Sequence, residues 1–195
     1  MKRRAKVGRK TSEVEVSIEI NLDGKGNYEI ETGIPFFDHM LSQFAKHGYF
    51  DLTLRAKGDI EVDFHHTVED VGLALGEALL NALGDKRGIS RFGEAFVPFD
   101  ETLAFASVDL SGRPFFVYRV NTPKGKIGDF DVELGEEFFK SLSTTLKCNL
   151  HIELKYGDNS HHIIESIFKA VGRALDKASK VDPRSEDVPS TKGKL

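Results

Sequence analysis

An internally duplicated α+β fold is predicted for this 195-residue chain by three observations. Apolar residues alternate with polar ones over 14–22, the pattern of a half-buried strand. Over 66–83 they recur instead at helical spacing. The pattern His-His-x-x-Glu occurs twice, at His65–Glu69 and His161–Glu165, 96 residues apart, and the same offset carries Gly76, Ala78 and Leu79 onto Gly172, Ala174 and Leu175.

The first element in order is the strand Val14, Val16, Ile18, Ile20, Leu22, whose other face carries Glu13, Glu15, Ser17 and Glu19. The residues before it hold Arg3, Arg4, Lys6, Arg9 and Lys10 and read as a solvated basic terminus. They lead into a polar strand and not an apolar run, which argues against a signal peptide. Asp23-Gly24 turns the chain towards a second strand near Tyr28–Glu31. Pro35 opens a helix built on Phe37, Met40, Leu41 and Phe44, and Gly48 ends it. Leu52 and Leu54 mark a strand, followed by the 66–83 helix with Gly84 as its stop. The second half repeats the plan, with strands around 103–110 and 115–120, a helix over 134–146, a strand over 150–154 and a helix over 162–178. Two pseudo-repeats, about 1–90 and 91–180, thus form one domain, with an irregular tail over 181–195. Halves of about 90 residues bury too little core alone and must pack on each other.

A formal charge of −4 argues against a nucleic-acid binder. No apolar run reaches the roughly 18 residues of a membrane span, and the expected address is the cytoplasm. One cysteine, Cys148, can make neither an internal disulfide nor a thiolate metal site, so a metal must be held by imidazole and carboxylate.

Both His-His-x-x-Glu copies open a long helix. Residues four apart share a helix face, whereas adjacent ones diverge by about 100°. His65 and His66, like His161 and His162, therefore serve different centres, and with Glu69 and Glu165 they predict two metal ions. The residue order is that of neither zincin class. Nitrogen and oxygen donors suit Mn²⁺, Fe²⁺ or Zn²⁺ without choosing among them. An offset of 98 in the strand region, Leu52 to Leu150, carries His39 onto Glu137 and gives each half a third candidate ligand. His47 shares the His39 helix face, and Lys169 is either an ion-pair partner of Glu165 or an anion binder. By pattern alone, His151 is an ordinary strand residue and Glu13 a solvent-facing one.

Four segments carry a resemblance: 33–41 (GIPFFDHML), 64–70 (FHHTVED), 159–165 (NSHHIIE) with Phe168-Lys169-Ala170, and 189–193 (PSTKG). In this order they resemble the signature segments of imidazoleglycerol-phosphate dehydratase, a histidine-biosynthesis family. The resemblance implies a ribosomal protein S5 domain 2-like fold, with ββαββ-type halves and two mixed four-stranded sheets facing inward between helices. It implies a homo-oligomer of 24 subunits with two Mn²⁺ per subunit at interfaces. Its ligands are His39, His65, His66, Glu69, His161, His162 and Glu165. Many members place a histidine where this chain has Glu137.

The implied substrate is small, a phosphorylated imidazole. The implied reaction removes water from D-erythro-imidazoleglycerol phosphate through a metal-bound imidazolate, since no carbonyl adjoins the hydrogen to be lost. The resemblance assigns Glu13 the proton shuttle and Arg91, Arg113, Lys169, Ser190, Thr191 and Lys192 the phosphate, while His47 joins the ligands and Glu13 around the substrate. A metal-stapled structural cage and a binuclear metallohydrolase also fit the His-Glu pairs.

Overall fold

The computed structural model describes residues 3–193 and 195. In chain order its strands are β1 (Arg4–Lys10), β2 (Val14–Asn21), β3 (Tyr28–Glu31), β4 (Asp51–Gly58), β5 (Phe92–Phe99), β6 (Thr102–Asp109), β7 (Phe115–Arg119), β8 (Lys126–Ile127), β9 (Phe130–Asp131) and β10 (Asn149–Tyr156). The helices are α1 (Pro35–His47), α2 (His65–Leu83), α3 (Leu134–Leu146) and α4 (Ser160–Ser179).

Two mixed four-stranded sheets have orders β1-β2-β4-β3 and β5-β6-β10-β7. Each contains two antiparallel pairings and one parallel pairing in corresponding places, so β1, β2, β3 and β4 match β5, β6, β7 and β10. Strands β8 and β9 form a small separate hairpin.

The first half runs βββαβα, and the second repeats it with the β8–β9 hairpin inserted before α3; each has one strand more at its start than the sequence pattern predicts. The basic segment is strand β1 and not a free terminus. Val7 is buried, while Lys6 and Lys10 pair across the register with Glu19 and Glu15 of β2. Strand β5 escapes the pattern for a related reason: Gly93, Ala95 and Val97, its buried row, are too small to stand out.

Both sheets are buried on one face only, as the alternating burial of β2 and β6 shows. Helix α2 covers β1 and β2, and α4 covers β5 and β6. The four helices therefore lie between the sheets, the reverse of sheets enclosed by helices. They cross in the pairs α1 with α4 and α2 with α3, each pair joining the two halves. Phe37, Phe44, Phe138, Phe139 and Phe168 are fully buried in this middle layer, where Phe138 stacks on Phe168 with centroids 5.2 Å apart.

The outer faces differ. On the second sheet Phe92, Phe96 and Phe115 are exposed, whereas the first carries charged residues such as Lys6, Glu19 and Arg55. No described helix is long and apolar enough to cross a membrane.

Candidate metal centre and phosphate cleft

The α1–α4 crossing brings together residues 126 positions apart. His39 Nε2 lies 3.0 Å from Glu165 Oε2, and His161 Nε2 lies 3.1 Å from the same oxygen. The three donor atoms are all within 4.8 Å of one another, the spacing at which they can share a cation. The other oxygen, Oε1, is held by Lys169 Nζ at 2.6 Å, and that ammonium also sits 4.0 Å from the centroid of the Phe99 ring. Burial opposes ionisation of Glu165. The hydrogen bonds from Lys169, His39 and His161 outweigh it together with the Lys169 charge, and the carboxyl lies below its usual pKa.

Asn159 caps α4 by accepting from the backbone N–H groups of His161 and His162, which fixes the turn carrying both histidines. His162 points to the other side, as adjacent helical residues must. Its Nδ1 lies 2.7 Å from Glu101 Oε2, and its ring packs on Phe99 at 4.6 Å. That hydrogen bond is the main cause of the fall in the Glu101 pKa to about 2, and a backbone hydrogen bond from Asn159 adds to it.

In the first half, His65 Nε2 stands 4.0 Å from Glu69 Oε2. His66 Nδ1 lies 3.0 and 3.2 Å from the two oxygens of Asp59, and 3.8 Å from Glu13 Oε2. The Asp59 hydrogen bond raises the His66 pKa despite desolvation. Glu13 is exposed in the β1–β2 turn, where Thr11 Oγ1 accepts from its backbone N–H at 3.2 Å.

The structure does not gather the remaining predicted ligands into one cluster within the chain. Glu137 lies on α3, the helix crossed by α2, and its carboxylate is 3.3 Å from Lys140. His47 is half-buried on α1; burial and the charges of Lys169 and Arg173 lower its pKa and favour the neutral ring. His151 is exposed on the outer face of the second sheet, stacked on Phe115.

A cleft of about 570 Å³ collects Arg91, Arg113, Ser190, Thr191 and Lys192, together with Pro189 and Leu195. Arg91 is fixed by a two-pronged pair with Asp109, at 2.7 and 3.1 Å, and its Nη1 donates to Pro189 O at 2.9 Å. The tail is thus tied to the start of β5. Lys169 lies apart from this cleft, with Glu165.

Asp59, Glu101 and Asp109 are the polar residues of these sites that sequence pattern missed. A signal for Glu101 exists, since it directly precedes β6 as Glu13 directly precedes β2.

The imidazoleglycerol-phosphate dehydratase family model matches residues 32–175. An imidazoleglycerol-phosphate dehydratase of Pelobacter propionicus is 58% identical over 195 residues, all of both chains. One from Thermoanaerobacter pseudethanolicus is 56% identical over 193 residues, 99% of this chain and 100% of its own. Among solved structures, imidazoleglycerol-phosphate dehydratase of Staphylococcus aureus superposes with a TM-score of 0.83 at 38% identity, covering 92% of this chain and 99% of that one. The Pyrococcus furiosus structure, in complex with (S)-C348, gives 0.84 at 38% identity over 97% and 100%.

Proposed function

Given that the chain belongs to the imidazoleglycerol-phosphate dehydratase family, hydro-lyases of histidine biosynthesis, we propose that it removes water from D-erythro-imidazoleglycerol phosphate using two bound Mn²⁺ ions per subunit. The observation that carries the metal reading is the convergence of His39 Nε2, His161 Nε2 and Glu165 Oε2 within 4.8 Å. Two imidazole nitrogens and an ionised carboxylate form a donor set that fits Mn²⁺, and three donors leave coordination positions for substrate and for ligands from another chain. His65 and Glu69 with Glu137 would hold the second ion, and His66 and His162 would complete the two sets. When bound, the ions supply Lewis acidity at the two nitrogens of the substrate ring.

The chain's own residues do the rest. Glu13, on an exposed turn 3.8 Å from His66 Nδ1, exchanges protons with the substrate's side chain. Arg113, Ser190, Thr191 and Lys192 hold the phosphate, with Arg91 braced by Asp109.

One chain cannot do this alone. Arg91 and Glu101 lie at opposite ends of the eight-residue strand β5, about 26 Å apart at about 3.3 Å per residue. A substrate whose imidazole and phosphate are separated by three carbons cannot bridge that distance. This separation supports a site whose phosphate cleft and imidazole-facing residues come from different copies, while the number of 24 subunits rests on the family resemblance. The exposed aromatic face of the second sheet is suited to such contacts. A single domain of two pseudo-repeats with a substrate-binding tail, resident in the cytoplasm, belongs to the same reading.

The test is conversion of the substrate by purified, Mn²⁺-loaded protein, followed by appearance of the imidazole-acetol phosphate ketone. Chelation abolishes it and Mn²⁺ restores it. Release of inorganic phosphate instead identifies a metallohydrolase, and metal-dependent assembly without turnover identifies a structural cage.

A further inference from the structure

Resting on that metal reading, we propose that Glu101 and Asp59 are positioning residues that turn the Nε2 atoms of His162 and His66 towards the metal ions. A carboxylate only accepts hydrogen bonds, so the ring nitrogen facing it must carry the proton. His162 Nδ1 faces Glu101 at 2.7 Å and His66 Nδ1 faces Asp59 at 3.0 Å. Each ring then presents the lone pair of Nε2 on its far side, and the carboxylate makes that nitrogen a better donor to a cation.

The two halves reach this arrangement from different positions. Glu101 and Glu13 occupy matching places, each directly before the second strand of its sheet. Asp59 follows β4, and beyond the irregularity between Leu154 and Tyr156 of β10 the offset that relates the two strands grows from 98 to 99, which carries Asp59 onto Asp158. His162 Nδ1 bonds Glu101 and not Asp158, so in the second half Glu101 supplies the carboxylate.

In the first half Asp59 already holds the ring, and Glu13 stands off at 3.8 Å. Among the described residues no donor bonds the Glu13 carboxylate. The same turn thus provides a brace in one half and a free proton carrier in the other.

Mn²⁺ titration of the full-length assembled protein, read by electron paramagnetic resonance, tests this. Glu101→Ala and Asp59→Ala are each expected to weaken binding by about tenfold or more. Glu13→Ala, the positional equivalent of Glu101, leaves Mn²⁺ affinity within about twofold by the same reasoning. Because Glu101 Oε1 also accepts from Asn159 N–H and Thr102 Oγ1, Glu101→Gln is the second variant. It keeps Oε1 for those partners and keeps the melting temperature of the chelated protein, but it sets an amide N–H donor where Oε2 accepted from His162 Nδ1, and so weakens Mn²⁺ binding about tenfold or more.

Wild-type affinity in Glu101→Gln, or an equal loss in Glu13→Ala, overturns the proposal. A wild-type protein that takes up no Mn²⁺ overturns the metal reading as well, so the two failures are distinguishable.

Discussion

Gly172 of α4 lies against Phe44 of α1 so closely that a Cβ on Gly172 would come within 2.6 Å of the Phe44 carbonyl oxygen. This crossing sets the distance between His39 and the His161–Glu165 pair. Alanine in a helix interior gains up to about 1 kcal/mol over glycine, whereas overpacking costs about 1–3 kcal/mol. Gly172→Ala is therefore expected to lose up to about 2 kcal/mol in denaturant unfolding of the chelated protein, and to weaken Mn²⁺ binding. A variant as stable as wild type would show that the crossing has slack.

Glu13→Gln removes the proposed proton carrier while leaving the ligands in place. Turnover is expected to fall at least about 100-fold, with Mn²⁺ content and particle size unchanged. Near-normal turnover moves the acid–base role to another group.

The phosphate cleft predicts a different signature. Charge-assisted hydrogen bonds contribute about 1.5–3 kcal/mol, so Arg113→Ala or Lys192→Ala should each raise KM about tenfold or more. Mn²⁺ affinity should not move. Steady-state kinetics beside metal titration separates these effects, and an unchanged KM removes the residue from the phosphate site.

The start of the tail responds to acid. Hydrogen bonds from the Arg184 side chain and backbone hold the Asp182 carboxyl at about 2, below the roughly 3.9 of an unfolded chain. A carboxyl depressed by folding stabilises above its unfolded pKa and loses that contribution as pH falls through the folded one. Amide exchange over 182–187, corrected for its intrinsic pH dependence, should accelerate between about pH 4 and 2. Asp182→Asn should show the same acceleration at neutral pH; protection that is equal in both proteins would contradict this.

Cys148 is fully buried, and burial pushes its thiol up to about 12, against the nearby charge of Lys86. At pH 8 the thiolate fraction is then on the order of 10⁻⁴. A thiol-reactive dye should leave the native protein unlabelled for hours and label one site per chain after unfolding in guanidinium. Labelling of the native protein would show an opening of the core at Cys148.

What was legible in the sequence followed the strength of local pattern. The alternation from Val14 to Leu22 and the repeated His-His-x-x-Glu needed no tertiary information, and they located β2, α2 and α4. Strands β1 and β5 were not legible, because a charged edge strand with Val7 as its buried anchor resembles a solvated tail, and Gly93 and Ala95 carry little apolar signal. The pairing of His39 with Glu165 rests on a helix crossing over 126 positions; the comparison of halves and the family resemblance made His39 a candidate ligand, but local pattern did not pair it with Glu165. Asp59 and Glu101 were hidden for another reason. They hold corresponding histidines from non-corresponding positions, so a search by constant offset finds neither.

The strand that separates Arg91 from Glu101 also fixes how damage is shared. On the proposed reading each active centre borrows its two ends from different copies, so a lesion at one end spares the contribution the same chain makes elsewhere. Two inactive alleles, one defective near Glu13 and the other near Lys192, can complement each other when co-expressed, because some centres in a mixed shell receive both intact ends.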